Sequence, residues 1–319
     1  MAEQKIWQKL WRKHSWPRQL MACGALAICV GAPSARAATF EQTMFETPQA
    51  AVNALVNAVK ADDRHMLRVI LGPHSRRLIN SGDDVADEHR RDAFVKTYSE
   101  GHKIVLDGDA RATLLIGADE WPLPIPVVKA GGRWYFDASQ GEKEILARFI
   151  GANELAAIEV CLAIVEAEND YAAQAATGDG VPHYAGRFVS TRGKHDGLYW
   201  ETQADEAPSP LGPLLAAAAH EGYTKSKLTP LAPYHGYYYK LLDRQGANAP
   251  GGAYDYLIKG RMIGGFAVLA YPARYGASGI MSFLVNQDGA VYEKNLGRKT
   301  KELAGRMTAF DPDSSWSKQ

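Results

Sequence analysis

Cysteine is nearly absent: there are three in 319 residues, and two of them, Cys23 and Cys29, lie in the first forty. Cys161 is left without a partner over the rest of the chain, which excludes a disulfide-stapled scaffold. A solitary cysteine within a helical pattern reads as a small buried hydrophobe rather than a nucleophile. An excess of one charge is also lacking, since 36 Lys+Arg stand against 36 Asp+Glu. Nothing in that balance calls for nucleic acid. Gly264-Gly265 is followed by neither a dinucleotide fingerprint nor a Walker Lys-Ser/Thr, so no nucleotide cofactor is expected. Metalloprotease, zinc-ribbon and calcium-loop spacings are missing, and His183, His195, His220 and His235 have no close helical pairing. A metal is therefore not expected unless these four converge in space.

What is present begins with an address. Lys5, Lys9, Arg12, Lys13 and Arg18 precede a short apolar run, Leu20 to Ala32, and Ala35-Arg36-Ala37 follows as a small-x-small cleavage pattern. This order is that of a secretory signal over residues 1–37, with the mature chain starting at Ala38. The run is short for a bilayer, so no stable membrane span is expected after cleavage. An uncleaved anchor or a buried helix is the alternative reading. Leu20-Met21-Ala22-Cys23 loosely resembles a lipobox, but the apolar approach to Cys23 is too short for a strong one. Removing the leader leaves 30 basic and 35 acidic residues, a net charge of −5. A soluble periplasmic or secreted protein is the expected product.

Beyond the leader the periodicity predicts an α+β fold. In residues 38–140, Ala51, Val52, Leu55, Val56 and Val59 recur at helical spacing, with Thr47 placed to cap and Pro48 to occupy the first turn. From Lys103 the pattern changes to strands separated by Asp107-Gly108-Asp109, by 117–120 and by Ala130-Gly131-Gly132. Helices followed by a curled antiparallel sheet are expected there. Residues 141–176 carry Ile145, Phe149, Ala152, Leu155, Ile158, Leu162 and Val165 at steps of three or four, which draws one apolar stripe on a long connecting helix. Gly151 is a candidate break in it. Thirteen of the fifteen tyrosines lie from Tyr171 onward, so residues 177–310 read as an antiparallel sheet domain with long loops. Asn286-Gln287-Asp288-Gly289 is a hairpin signal there, and 311–319 reads as a flexible tail.

Several long strings carry a resemblance. They are Trp121-Pro122-Leu123-Pro124-Ile125-Pro126-Val127-Val128, Gly132-Arg133-Trp134-Tyr135-Phe136-Asp137 and Asn153-Glu154-Leu155. Further on come Gly193-Lys194-His195-Asp196-Gly197-Leu198-Tyr199-Trp200, Pro208-Ser209-Pro210-Leu211-Gly212-Pro213-Leu214 and Pro250-Gly251-Gly252-Ala253-Tyr254-Asp255-Tyr256. Together, and with Met262-Ile263-Gly264-Gly265-Phe266, they resemble the bacterial family of domain of unknown function 2950, over roughly Phe45 to Leu296. The resemblance implies an exported envelope protein of a Gram-negative-type bacterium and brings no assigned catalytic residues. More coarsely, the first block resembles cone-shaped nuclear-transport-factor-like or cystatin-like domains. The long helix and Tyr/Gly-rich sheet resemble pilin and pseudopilin heads, a fold analogy that says little about function.

Two constellations are candidate sites. His195 beside Asp196, with Tyr199, Trp200 and Glu201 following, offers a proton-transfer pair and aromatic faces that a sugar could stack on. The simpler reading of Asp196-Gly197 is a tight turn. Tyr234, His235, Tyr237 and Tyr239, with Tyr254, Asp255 and Arg261 in a later element, could line one face of a sheet toward a peptide or glycan, or pack as core. Among these, His195, Asp196, Glu201, His235 and Asp255 are the catalytic candidates, and Tyr199, Trp200, Tyr237, Tyr239, Tyr254 and Arg261 the ligand-binding ones. The leading expectation is a non-enzymatic binding or assembly protein that recognises an envelope protein or a cell-wall glycan. A wall hydrolase with paired carboxylates and a purely structural protein are the alternatives.

Overall fold

The computed structural model describes residues 42–202, 205–223 and 232–319, without the side chains of 176–179. The leader, its cleavage site and Cys23 lie outside the described residues. Residues 42–319 form one compact unit containing two apolar cores.

The first core is built on helices α1 (Pro48–Lys60), α2 (Arg64–Leu71), α3 (Arg76–Ile79) and α4 (Asp84–Glu100). Helix α1 starts where local chemistry dictates: Thr47 Oγ1 accepts from the Ala50 N–H at 3.1 Å, and Pro48 occupies the first turn. Asp63 and Asp83 cap α2 and α4 in the same way. Ala51, Val52, Leu55 and Val56 pack beneath an antiparallel sheet of β1 (His102–Asp107), β2 (Arg111–Ile116), β4 (Val127–Ala130) and β5 (Arg133–Phe136). The two-residue β3 (Trp121–Pro122) also pairs with β2.

The expected curled sheet is overturned. The strand order β1-β2-β4-β5 is open at both ends, and no sheet among the described residues is curled or closed. Pro122, Pro124 and Pro126 withhold N–H groups from any ladder and cut β3 to two residues. The β1–β2 pair keeps six partners in unbroken register from His102↔Ile116 to Asp107↔Arg111, with no bulge to bend it. In outline the chain is an α+β fold with N-terminal helices, a long connecting helix and a C-terminal sheet.

Helix α5 (Ala138–Asp179) runs unbroken through Gly151 and serves both cores. Ala138 and Ile145 pack in the first, and Ala157, Val160, Cys161, Ile164 and Tyr171 in the second. Leu155 and Leu162, expected on the buried stripe, are 52% and 38% exposed. The helix carries apolar residues on more than one face, and the sheet covers the face of Ala157, Cys161, Ile164 and Glu168. Two polar side chains dock this helix. Glu154 Oε1 accepts from the backbone N–H groups of Ile280 and Met281, both at 2.9 Å, and Asn153 donates to the Ser278 carbonyl.

The second core lies under the sheet β14-β13-β12-β11-β6: β6 (Tyr237–Leu242), β11 (Ala267–Pro272), β12 (Met281–Asn286), β13 (Val291–Asn295) and β14 (Ser317–Lys318). β11 is apolar along its length because α5 and α7 (Thr300–Arg306) both pack on it, and Ala267 to Ala270 have no exposed surface. The β12–β13 hairpin turns at Asn286–Gly289, with Gly289 at φ +71° and the Gly289 N–H on the Asn286 carbonyl. Beside this sheet lie helix α6 (Gly212–His220) and two ribbons. One pairs β7 (Arg244–Gln245) with β8 (Tyr254–Asp255); the other pairs β9 (Leu257–Ile258) with β10 (Arg261–Met262).

Candidate functional site

The 187–201 loop is organised by Asp196. Its carboxylate folds back to accept from the Thr191 N–H at 2.7 Å and the Thr191 hydroxyl at 2.8 Å, with the Arg187 guanidinium 3.8 Å away. These hydrogen bonds hold the Asp196 carboxyl below its ordinary range, with Arg187 adding to the effect. The turn itself falls at Thr191–Lys194, ahead of Asp196-Gly197, where the Lys194 N–H reaches the Thr191 carbonyl and Gly193 takes φ +76°. His195 is exposed, and its ring lies flat on Trp200 with centroids 4.3 Å apart. Its carbonyl accepts from Tyr171 Oη. Tyr199 is half-buried against the second core, and Glu201 is exposed. His195, Asp196, Tyr199, Trp200 and Glu201 thus share one loop.

The other candidates occupy different elements. Tyr237 is wholly buried, and its hydroxyl donates to the Met281 carbonyl. Tyr239 donates to the Tyr234 carbonyl at 3.3 Å. Burial raises the phenols of both above the ordinary tyrosine range. Tyr254 is 40% exposed, edge-on to buried Tyr256, and Asp255 is exposed beside Arg244 at 3.9 Å. Arg261 donates to the Val181 carbonyl and contacts His183 Nδ1 at 2.8 Å. His235 sits at φ +48°, with Nε2 3.4 Å from Glu221 Oε2. No hydrogen bond, ion pair or ring contact joins His195 or Asp196 to His235 or Asp255 among the described residues.

One cluster escaped the sequence reading. Asp83, 1% exposed, caps α4 through Oδ1, which accepts from the Ala86 N–H. Its Oδ2 accepts from Tyr223 Oη at 2.9 Å and from the Gly236 N–H at 2.8 Å. This single carboxylate joins the helical layer to the turn that opens β6. Arg90 pairs with Asp87 beside it and lies over the Phe149 ring at 4.6 Å; burial lowers its guanidinium to about 10. Tyr223 is raised above the ordinary tyrosine range, first by burial and then by Asp83. The Asp83 partners are 140 and 153 residues away in sequence, so the only local signal was an Asp before a helix.

A second missed group is Glu168 on α5, with no exposed surface. Oε2 accepts from the Ala185 N–H at 2.7 Å, while Oε1 has no hydrogen-bond partner. Burial raises this carboxyl to about 8, so at neutral pH it is mostly a neutral acid. It braces the segment from Val181 to Ala185, and Tyr184 in that segment bridges to Met262 of β10.

For hydrolysis by paired carboxylates, the two groups must face one another across a cleft. A shallow hollow of about 360 Å³ is lined by Lys294, Asn295, Leu296, Leu303, Arg306 and Met307, and contains none of the candidate acids or bases. Among the described residues no group of three or more His, Cys, Asp and Glu side chains could hold a metal ion. Nor is any described helix long and apolar enough to cross a membrane.

Residues 42–319 match the family model described as protein of unknown function (DUF2950), and the chain belongs to that family. No curated protein and no solved structure matches it.

Proposed function

We propose that this member of the DUF2950 family is an exported, non-catalytic protein of the bacterial periplasm that binds a protein partner through its loop-rich second half. One observation carries the reading. Of the twelve large hydrophobic side chains exposed among the described residues, six fall in two short segments. They are Val181 and Val189 in one, and Tyr254, Leu257, Ile258 and Ile263 in the other. The Tyr184–Met262 bridge ties these segments together. Exposed apolar groups gathered on one part of a surface are characteristic of sites that another molecule covers. A basic and then apolar leader supports export. The fate of Asp196, spent on Thr191, argues against acid–base work by the His195-Asp196 pair. Glycan stacking is less favoured because the His195 ring already covers a face of Trp200.

The test is site-specific photo-crosslinking in the native host, after fractionation has located the protein. A photoreactive residue at Leu257 or Ile258 is expected to give a discrete adduct with a periplasmic or membrane-associated protein. The same residue at Met66, exposed elsewhere, is expected to give none. Full-length protein in the cytoplasm, or release of soluble fragments from purified cell wall by the isolated protein, would overturn the reading.

A further inference from the structure

The two edges of the first sheet differ. On β5 the edge is covered, because Phe45 and Trp134 exchange both backbone bonds, each at 2.7 Å. On β1 it is open. The Gly117 N–H donates to the Gly101 carbonyl at 2.7 Å, so these glycines form a hydrogen-bonded pair just beyond the ladder that runs from His102↔Ile116 to Asp107↔Arg111. Such pairs alternate along an antiparallel ladder. Lys103, Val105 and Asp107 therefore bond to β2, while His102, Ile104 and Leu106 turn their N–H and C=O groups to the open side. Among the described residues no strand and no hydrogen bond meets those groups. Val105 is 39% and Leu106 61% exposed, and Ile104 is half-buried against the first core.

Sheets blunt such edges with very short strands, prolines, bulges or lysine. β1 has six residues in unbroken register, no proline, and Lys103 as its one deterrent. For one occupant that deterrent becomes a contact. His102-Lys103 open the strand, Asp107 ends it, and Ile104-Val105-Leu106 lie between, so the strand is its own antiparallel complement. Lys103 has Glu120 3.7 Å away, but both side chains are 60% exposed and a pair of that kind contributes little. Asp107 lies opposite Arg111, which itself donates to Gln140. Glu100 and Asp109 flank the strand outside its apolar centre.

We propose that β1 pairs antiparallel with β1 of a second copy of this chain, joining two first sheets across a two-fold axis at Val105. In that register Ile104 and the partner's Leu106 exchange both backbone bonds, Val105 faces the partner's Val105, and Lys103 faces the partner's Asp107. The neighbouring in-phase registers set Val105 against the partner's Lys103 in one case and against the partner's Asp107 in the other, so charge and apolar contact together select this one. A single strand edge makes a small interface, and the dimer is accordingly weak and concentration-dependent. The pairing belongs to the first sheet and stands independently of the binding surface on the second half.

Sedimentation velocity on the protein from Ala38 to Gln319, over a series reaching high micromolar concentration, should show reversible conversion of monomer to dimer. Lys103→Asp and Asp107→Lys should each weaken association at least tenfold, and the two together should restore it, because the exchanged charges again face one another. Amide exchange gives a readout independent of any variant's folding. As concentration rises, Ile104 and Leu106 should slow, while Lys103 and Val105, already bonded to β2, should not change. Val105→Cys should form a disulfide-linked dimer on mild oxidation, since the Cα atoms of such a facing pair lie about 4.5 Å apart. Met66→Cys, exposed elsewhere, is the control for random collision. Monomer throughout, unchanged association in both single variants, no recovery in the double variant, or V105C cross-linking no faster than M66C would sink the proposal. So would a monomer whose Leu106 cross-links to a different protein, which would assign the edge to that partner.

Discussion

Replacing Asp83 by alanine probes the joint between the two cores. Three donors lose their acceptor at once: the Ala86 N–H of the α4 cap, the Tyr223 hydroxyl and the Gly236 N–H. Loss of the cap costs about 1 kcal/mol. The other two donors are buried, and each buried donor left unpaired costs roughly 1–3 kcal/mol. Allowing for partial relaxation, about 3–5 kcal/mol is expected, against a total of roughly 5–15 kcal/mol for a folded domain. Tyr223→Phe alone should cost about 1–2 kcal/mol. Once Tyr223 is Phe, Asp83→Ala orphans one donor fewer, so the double variant should cost about 1–2 kcal/mol less than the sum of the singles. Urea unfolding at pH 7, followed by far-ultraviolet circular dichroism, measures all three, and the midpoint temperature of D83A should fall on the order of 10 °C. A D83A cost below about 1 kcal/mol, or strict additivity with Y223F, would refute the assignment of Asp83 as the shared acceptor.

Three further outcomes follow from buried groups. Glu168, raised to about 8 by burial, keeps its proton in the folded state over a range where the unfolded chain has lost it. Stability should therefore fall as pH rises from about 4.5 to about 8, by up to about 1.4 kcal/mol per pH unit from this group. Glu168→Gln should flatten that slope in urea titrations taken across the range, and an unchanged slope would remove Glu168 as its source. At Gly279 an added Cβ would lie 2.0 Å from Tyr237 Oη and 2.5 Å from Cζ. Gly279→Ala should thus destabilise by about 1–3 kcal/mol through overpacking, and a thermal midpoint equal to the parent's would contradict the packing. Burial raises the Cys161 thiol far above its ordinary range, so in protein beginning at Ala38 it should resist an aromatic disulfide reagent until denaturant is added; rapid labelling of the folded protein would place it elsewhere.

The parts of this protein legible in the sequence are those governed by neighbours a few residues apart. Thr47-Pro48 specified how α1 starts, Asn286 to Gly289 specified the hairpin, and a long helical period specified α5. In each case the hydrogen bonds and the dihedral angles belong to the same short segment. The leader-like composition of the first residues is local in the same sense. What required the tertiary structure are choices made between segments far apart. Periodicity on α5 could not say that Leu155 and Leu162 face outward while Cys161 and Glu168 face in, because several faces are apolar and only the sheet decides which is covered. Tyrosines 237 and 239 have the same sequence character as Tyr254; burial under α5 and the neighbouring strands turns the first two into packing and leaves the third outside. Asp83 reads as a helix cap until Tyr223 and Gly236 arrive from more than a hundred residues away. The first sheet stays open because its edge strands β1 and β5 do not pair with each other, a choice that no local pattern records. The segment around Tyr184 lies beside β10 only because Tyr184 is drawn against Met262, a pairing 78 residues apart that neither segment signals alone.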